Sequence, residues 1–383
     1  MTTPASPETR GWRVGRFGGA PVIVTPGWGI IAIVLVVAFA PWIDARLGLG
    51  PMSYVGATAI PVLLFVSVLL HELAHGLVAR RLGVEVGEYV VSLWGGHTAF
   101  TGAIRRPGAS AAIAVAGPLT NAVLAVIFFL LARNADGVTA LALSAATYSN
   151  AVVAVFNLLP ALPMDGGKLL EALIWKVRGD RLGGTIAAGR LGQVLAIALP
   201  VVLVGYPFLR GSRPDIFTAV WAVLLGSVLW TGARASVRAA NAQRSAGTVD
   251  LRRLAVGVHV LPALAWVADL DRARSAAPAA PTVLVDNRGM PVALVSAPAL
   301  DAVPAEGRGA VPLSAVAAAL PPGAVVTEHV GPRAVAQVAR AAQAGAAVVV
   351  LVDLSTSLPQ VLGVVPVALV AQELAPGRRV RAT

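Results

Sequence analysis

Long runs of apolar residues, separated by short polar segments, dominate the first 235 positions of the chain. Most runs are near the roughly 20 residues that a helix needs to cross a hydrocarbon layer about 30 Å thick. The pattern predicts about six transmembrane helices, near residues 27–43, 54–79, 109–132, 138–160, 191–209 and 216–233. The expected fold class is therefore a multi-spanning α-helical membrane protein.

The hydrophobic pattern changes near residues 240–248, where the apolar runs shorten and alternate with Pro, Gly, Asp and Arg. Such alternation is typical of a soluble α/β domain. We therefore predict a transmembrane domain over residues 1–240 and a second domain over residues 248–376. In the second domain, strands are expected at 281–286, 291–296, 346–353 and 361–370, and a helix at 332–344.

Two weaker strand patterns, Val84–Leu93 and His97–Ile104, lie between the second and third spans. They surround Gly95 and Gly96, and glycine pairs are common in hairpin turns. The sequence therefore predicts a small β-hairpin or sheet on the cytoplasmic side of the membrane.

Composition supports the membrane class, because 57% of the residues are apolar and only 13% are charged, against about 25% charged in an ordinary soluble domain. The net charge of +11 does not predict a nucleic-acid partner, since the basic residues sit mainly at the ends of the apolar runs, where membrane topology explains them. The chain contains no cysteine, so a metal would need His, Asp or Glu ligands.

The basic residues are distributed unequally between the two sides of the membrane that the six spans imply. The side of the N-terminus carries fifteen: Arg10, Arg13, Arg16, Arg80, Arg81, Arg105, Arg106, Lys168, Lys176, Arg178, Arg181, Arg190, Arg234, Arg238 and Arg244. The opposite side carries four: Arg46, Arg133, Arg210 and Arg213. By the positive-inside rule, both termini are expected in the cytoplasm and the protein in the plasma membrane.

The second span contains the sequence His71-Glu72-Leu73-Ala74-His75, in a stretch that is otherwise almost entirely apolar. Residues four apart share one face of a helix, so both imidazoles can bind one Zn²⁺ while Glu72 takes a proton from bound water. A charged residue in mid-membrane costs about 2.5–3.5 kcal/mol on insertion scales and is rare without a partner or a function. The pattern therefore favours a metal site over a chance match.

The depth of this site follows from its distance to Arg80, which lies five residues after His75 and nine after His71. At about 1.5 Å per residue, the two histidines lie roughly 8 and 14 Å from the cytoplasmic end of the helix. The site is therefore expected within the hydrocarbon layer, in a cavity that admits water.

A third ligand is expected after the fourth span, on the same side of the membrane. Asp165 is the candidate, because two His and one carboxylate leave a position for water, as in catalytic zinc sites. Gly166 and Gly167 follow it and would let the backbone approach the site closely. The alternative is a turn residue after a Pro-rich helix end. Asn157 would bind a substrate carbonyl, steady Asp165 or make an interhelical contact.

The combination of HELAHG (71–76), AGPLTN (116–121) and NLLPALPMDGGK (157–168) resembles the site-2 protease family of intramembrane zinc metalloproteases. The resemblance covers about residues 12–235. It implies that His71, His75 and Asp165 bind one Zn²⁺ and that Glu72 is the general base. Substrate-binding roles are implied for Asn121, Asn157, Gly95 and Gly96, the glycines belonging to a strand that presents an extended substrate.

The family implies peptide-bond hydrolysis, in which Glu72 takes a proton from a zinc-activated water and returns it to the leaving amine. The substrate would be a transmembrane protein, either an anti-sigma factor or another membrane regulator, within the lipid bilayer. His97 is expected to be an ordinary surface residue outside the metal set. Trp94 and Phe100 are candidates for lining the substrate path.

Residues 248–376 resemble a tandem pair of cystathionine-β-synthase-type (CBS) domains, found in one branch of the family. The Thr and Asp expected near the end of each repeat are not in place: the matching segments are 296–299 and 366–369, and Asp301 is two positions late. The sequence therefore favours a degenerate pair that forms a homodimer or docks substrates, and it leaves open whether the pair binds a nucleotide.

Two other classes of function remain open from the sequence. CBS-type tails also occur on ion-transport proteins, so one alternative is a CBS-regulated channel or transporter. The intact metal motif and the absence of repeated membrane halves argue against that class. The other alternative is a catalytically silent scaffold that binds membrane proteins.

Overall fold

The structure is a computed structural model that describes residues 11–92, 95–213, 215–274, 279–356 and 358–374. The chain divides into two compact units, residues 1–240 and 241–383.

Six helical segments among the described residues are long and apolar enough to cross a membrane. Their positions confirm the predicted multi-spanning helical fold. The segments are α1 (Pro26–Leu47), α2 with α3 (Met52–Ala57 and Ala59–Arg81), α4 (Pro107–Ala132), α5 (Gly137–Asn157), α7 (Arg181–Leu209) and α8 (Ile216–Thr248). A shorter amphipathic helix, α6 (Asp165–Arg178), lies between α5 and α7.

Helix α4 lies at the centre of the first unit and packs against α3, α5 and α6. Its buried residues are mostly small, among them Ala114, Ala116 and Gly117. Small side chains allow helix backbones to approach closely inside a membrane, where packing replaces the hydrophobic effect as the force between helices. The close approach brings α3 and α6, which carry the predicted metal ligands, to the same helix.

A four-stranded sheet accompanies the helices, with strand order β1-β2-β3-β4. The strands are β1 (Trp12–Phe17), β2 (Ala20–Val24), β3 (Val86–Ser92) and β4 (Gly95–Phe100). The β3–β4 hairpin was predicted, whereas β1 and β2 were not. Strand β2 pairs in parallel with β3, with Ile23 opposite Val90, and β4 forms an edge of the sheet.

The second unit contains two successive copies of one β-α-β-β-α arrangement. In each copy the first two strands pair in parallel and the second and third pair antiparallel. The first copy is β5 (His259–Pro262), α10 (Val267–Arg274), β6 (Thr282–Val285), β7 (Pro291–Val295) and α11 (Ala297–Asp301). The second is β9 (Val325–Val326), α12 (Gly331–Gln343), β10 (Val348–Asp353), β11 (Gln360–Pro366) and α13 (Val367–Leu374). A short helix, α9 (Leu251–Leu254), precedes the first copy, and β8 (Ala317–Ala319) adds to its sheet beside β7.

One strand prediction in this unit was wrong in its second half. The run 361–370 was expected to be a single strand, but β11 ends at Pro366 and α13 begins at Val367. Val367, Val370 and Leu374 pack against one hydrophobic cluster. Their spacing of three and four residues is helical, so this packing favours a helix over a longer strand.

Candidate metal centre

Three predicted ligands meet inside the first unit. His71 and His75 lie one turn apart on α3, and Asp165 is the first residue of α6. The two Nε2 atoms are 3.1 Å apart, and each lies 3.2 Å from Oδ2 of Asp165. All three residues are buried, so the three atoms form a nearly equilateral triangle that is shielded from bulk solvent.

The dimensions of this triangle fit a zinc ion. Zinc binds His nitrogen at about 2.0–2.1 Å and carboxylate oxygen at about 2.0–2.2 Å, usually as a tetrahedron, which places ligand atoms roughly 3.3–3.4 Å apart. In a tetrahedron, the observed separations of 3.1–3.2 Å correspond to metal–ligand distances of about 1.9–2.0 Å, within the tolerance of about 0.2 Å expected for such sites. Two imidazoles and one carboxylate would occupy three vertices and leave the fourth for a water or a substrate.

Helix α4 orients both imidazoles. The Nδ1 atom of His75 lies 2.7 Å from the backbone oxygen of Ile113, and a carbonyl oxygen only accepts, so this nitrogen carries the proton. Nδ1 of His71 is hydrogen-bonded to Oδ1 of Asn121. With both Nδ1 atoms donating, both Nε2 atoms present their lone pairs to the site, which is the arrangement that metal-binding histidines require.

Gly117 on α4 gives the imidazoles the space they need. A Cβ at this position would lie 2.4 Å from Nε2 of both His71 and His75. No side chain larger than hydrogen fits there without displacing both candidate ligand atoms. The backbone of α4 at Gly117 therefore forms one wall of the site.

The second oxygen of Asp165 faces away from the histidines. Oδ1 accepts a hydrogen bond from Nζ of Lys168 at 3.0 Å. Burial raises the pKa of this carboxyl and the charge of Lys168 lowers it, and the net pKa is lowered. An ionised carboxylate is the form that binds metals.

The two glycines after Asp165 act on the preceding turn and not, as expected, on the metal site itself. A Cβ at Gly166 would lie 2.3 Å from the carbonyl oxygens of Leu158 and Leu159, and one at Gly167 would lie 2.3 Å from the backbone nitrogen of Leu162. The first turn of α6 thus packs directly against the chain that leads into it. This packing fixes the position of Asp165 at the helix N-terminus.

Glu72 contacts the edge strand β4 of the four-stranded sheet. Its carboxylate is buried, with only 4% of the residue exposed, and Oε2 accepts a hydrogen bond from the hydroxyl of Thr98 at 2.7 Å. A Cβ at Gly96 would lie 2.5 Å from Cγ and 2.7 Å from Oε1 of Glu72. The backbone of β4 therefore runs against the carboxylate, and Thr98 fixes its orientation.

The remaining predicted site residues lie at varying distances from this cluster. Asn121 is buried and hydrogen-bonds to His71, while Asn157 is half-buried at the end of α5. Gly95 begins β4 with a φ of +109°, which favours glycine. His97 is exposed on β4. Phe100 packs near Ile113, and Trp94 lies outside the described residues.

Sequence reasoning assigned no role to four residues that shape the site: Gly117, Thr98, Asn150 and Lys168. Of these, Asn150 carried a usable signal, because an uncharged amide inside an apolar span is uncommon and calls for a partner. Lys168 contacts Asp165 from three residues further along the same helix, whereas Gly117 and Thr98 reach the site only through the tertiary structure.

Comparisons with known proteins add independent findings. The model of peptidase family M50 matches residues 59–141 and 132–201. Rip3 of Mycobacterium tuberculosis, named as a candidate zinc metalloprotease, is 32% identical over 264 residues, which are 66% of this chain and 65% of Rip3. A candidate zinc metalloprotease of Synechocystis is 30% identical over 236 residues, 60% of either chain. The chain thus spans slightly less than two thirds of both relatives.

Among similar solved structures is a site-2 protease from Methanocaldococcus jannaschii. It is 23% identical, with a TM-score of 0.40, and the match covers 59% of this chain and 94% of the solved one.

Proposed function

Because the transmembrane unit of this chain belongs to peptidase family M50, the site-2 proteases, we propose that the protein is an intramembrane zinc metalloprotease. The observation that carries the proposal is the buried triangle of His71, His75 and Asp165, with Glu72 next to it on the same helix. The donor set and its dimensions suit zinc. When bound, zinc would lower the pKa of a coordinated water and polarise the carbonyl of the scissile bond.

Glu72 is the proposed general base. It follows His71 directly on α3, and its buried carboxylate is held by Thr98. A carboxylate fixed in this way takes a proton from the attacking water and returns it to the leaving amine. A restrained orientation favours both transfers, since proton transfer needs a donor and an acceptor within hydrogen-bond distance.

The proposed substrate is the extended backbone of a transmembrane protein, an anti-sigma factor or another membrane regulator. Strand β4 is an edge strand that packs against Glu72 through Gly96. A substrate segment that unwinds and pairs with this edge would run beside the general base, and main-chain hydrogen bonds would fix its position. Gly95, Gly96, Asn121 and Asn157 stay predictions as substrate-binding residues.

The protein is a multi-pass membrane protein, on the evidence of the six long apolar helices within its described residues. We further propose that both termini face the cytoplasm of the plasma membrane, on the evidence of the unequal distribution of Arg and Lys. The two β-α-β-β-α copies of the second unit support a tandem CBS-like pair. We propose that this pair forms homodimers or docks substrates.

Reconstitution in liposomes tests the proposed activity. The purified protein and its Glu72→Gln variant would be incubated with a panel of single-span membrane proteins, and the zinc content of both would be measured. We expect about one zinc per chain in both proteins and cleavage by the wild type alone. Glu85→Gln is the matched control, because Glu85 is exposed between α3 and β3, and it should cleave normally. Zinc-free wild-type protein, or equal cleavage by Glu72→Gln, would overturn the proposal.

A further inference from the structure

A chain of hydrogen bonds crosses the helix bundle and ends at the metal centre. It links Ser67 on α3, Asn150 on α5 and Asn121 on α4 to His71, and the first three residues are only 1–2% exposed. Nδ2 of Asn150 donates to Oγ of Ser67 at 2.9 Å, and Nδ2 of Asn121 donates to Oδ1 of Asn150 at 2.7 Å. Oδ1 of Asn121 is hydrogen-bonded to Nδ1 of His71. Asn150 is thus two hydrogen bonds away from a candidate metal ligand.

Two backbone carbonyls determine the direction of every bond in this chain. The Ser67 hydroxyl donates to the oxygen of Leu63 at 2.8 Å, so its own oxygen is left to accept. The Asn150 amide lies 2.8 Å from the oxygen of Ala146. Because neither Ser67 Oγ in this state nor the Ala146 carbonyl can donate, the group of Asn150 that faces both must be its NH₂.

The rest of the chain follows from that orientation. With its NH₂ directed to Ser67 and Ala146, Asn150 presents its oxygen to Asn121. Asn121 must therefore donate with its NH₂ and turn its own oxygen toward His71. An oxygen facing Nδ1 requires the proton on Nδ1, which leaves the lone pair of Nε2 free.

We propose that Asn150 is a positioning residue that sets the tautomer and ring orientation of His71 through Asn121. This inference rests on the proposed function, since it assigns His71 to a metal. Among the described residues, the hydrogen bonds of Asn150 go to Asn121, Ser67 and Ala146 and not to a candidate metal ligand. Its effect is to exclude the alternative amide orientation of Asn121, in which an NH₂ would face Nδ1 and favour the tautomer whose Nε2 carries a proton and cannot bind zinc.

A purely structural role for Asn150 is the competing explanation, because buried polar side chains also join helices in membranes. The two explanations differ in what they predict for Ser67. If Asn150 matters only as an interhelical contact, removing its partner Ser67 on α3 should impair the protein as much as removing Asn150. If Asn150 sets the orientation of the Asn121 amide, Ser67→Ala should have only a small effect, because the Ala146 carbonyl still determines which way the Asn150 amide points.

The test measures zinc affinity of the full-length protein in detergent by competition with a chelator. The variants are Asn150→Leu, Ser67→Ala and Asn150→Ser, the last being small and polar but too short to reach Asn121. Thr147→Val is the control, since Thr147 lies one turn away on α5 and its hydroxyl bonds only to Leu143 of the same helix in the described structure. We expect both Asn150 variants to bind zinc about 10- to 100-fold more weakly, the usual effect of losing an outer-shell partner.

Ser67→Ala and Thr147→Val are expected to stay within about threefold of the wild type, a range well below that outer-shell effect. In cobalt-loaded protein, the visible spectrum should change for Asn150→Leu and remain unchanged for Thr147→Val, because it reports ligand geometry. Wild-type affinity in both Asn150 variants, or equal losses in Ser67→Ala or Thr147→Val, would overturn the inference and leave the protease proposal intact. A wild type that binds no zinc would overturn both.

Discussion

Replacing Gly117 by alanine is the sharpest test of the metal centre, because it adds one methyl group at a defined place. The added Cβ would lie 2.4 Å from Nε2 of both His71 and His75. These are the two nitrogen atoms that the site offers to a metal. The substitution leaves every ligand and Glu72 in the chain, so it tests geometry and not the identity of the donors.

The size of the effect follows from the distances. An ordinary contact of a Cβ begins near 3.4 Å, so the backbone or both imidazoles must move by about 1 Å to accept the methyl group. Zinc sites tolerate deviations of about 0.2 Å in their ligand distances. A change in an outer-shell partner already costs about 10- to 100-fold in affinity. Displacing two direct ligands should exceed that, so we expect zinc affinity to fall by at least about 100-fold.

Zinc content by mass spectrometry and affinity by chelator competition would measure this loss, together with cleavage of a reconstituted substrate. Gly108→Ala is the control, because Gly108 lies on the same helix and its added Cβ meets no atom within 4 Å. Alanine favours helix over glycine by roughly 1 kcal/mol, so a weaker α4 would not explain a loss at Gly117. Zinc affinity within threefold of the wild type in Gly117→Ala would refute the geometric argument.

Three further substitutions separate other parts of the site. Thr98→Val removes the hydroxyl that holds Glu72. It should lower turnover by about 10-fold or more at unchanged zinc content, since a hydrogen bond to a charged group contributes about 1.5–3 kcal/mol. The control Thr98→Ser keeps the hydroxyl and should retain activity. Lys168→Met removes the partner of the outer oxygen of Asp165 and should weaken zinc binding by about 10-fold, whereas Lys168→Arg should not. Glu171→Gln disrupts a buried contact to α7 and should destabilise the protein by about 1–3 kcal/mol, read as a lower unfolding temperature.

The six spans and the metal ligands could be predicted because their signals are local or nearly so. The length of an apolar run predicts a membrane helix. Helical periodicity alone places the two imidazoles of HELAH (71–75) on one face. To predict Asp165 as a ligand, the membrane topology was also required, because it returns the chain to the same side of the membrane. In the structure its Oδ2 lies 3.2 Å from both histidines.

Strands β1 and β2 were not predicted, although they pair across the glycines Gly18 and Gly19, a local hairpin signal. Their place in the sheet could not be predicted, because residues 22–24 pair with residues 89–91 after two membrane passes. The segment 12–17 is exposed throughout, so it shows no alternation between buried and exposed positions. The partners of Asn150 could not be predicted either, since the members of its network come from three helices.

The two histidines and Glu72 contact different neighbours of α3, so a substitution can impair metal binding or proton transfer without impairing the other. Adjacent residues on a helix are turned by about 100° from each other, so Glu72 and the two histidines contact different neighbours. His71 and His75 are held by α4 through Asn121 and the Ile113 backbone. Glu72 is instead held by β4, through Thr98.

Damage on the α4 side should therefore remove the metal and all activity together. Damage on the β4 side should leave the metal bound and slow the reaction. If Gly117→Ala and Thr98→Val gave the same loss of zinc, the two neighbours of α3 would not act independently, and the assignment of Glu72 to proton transfer alone would have to be abandoned.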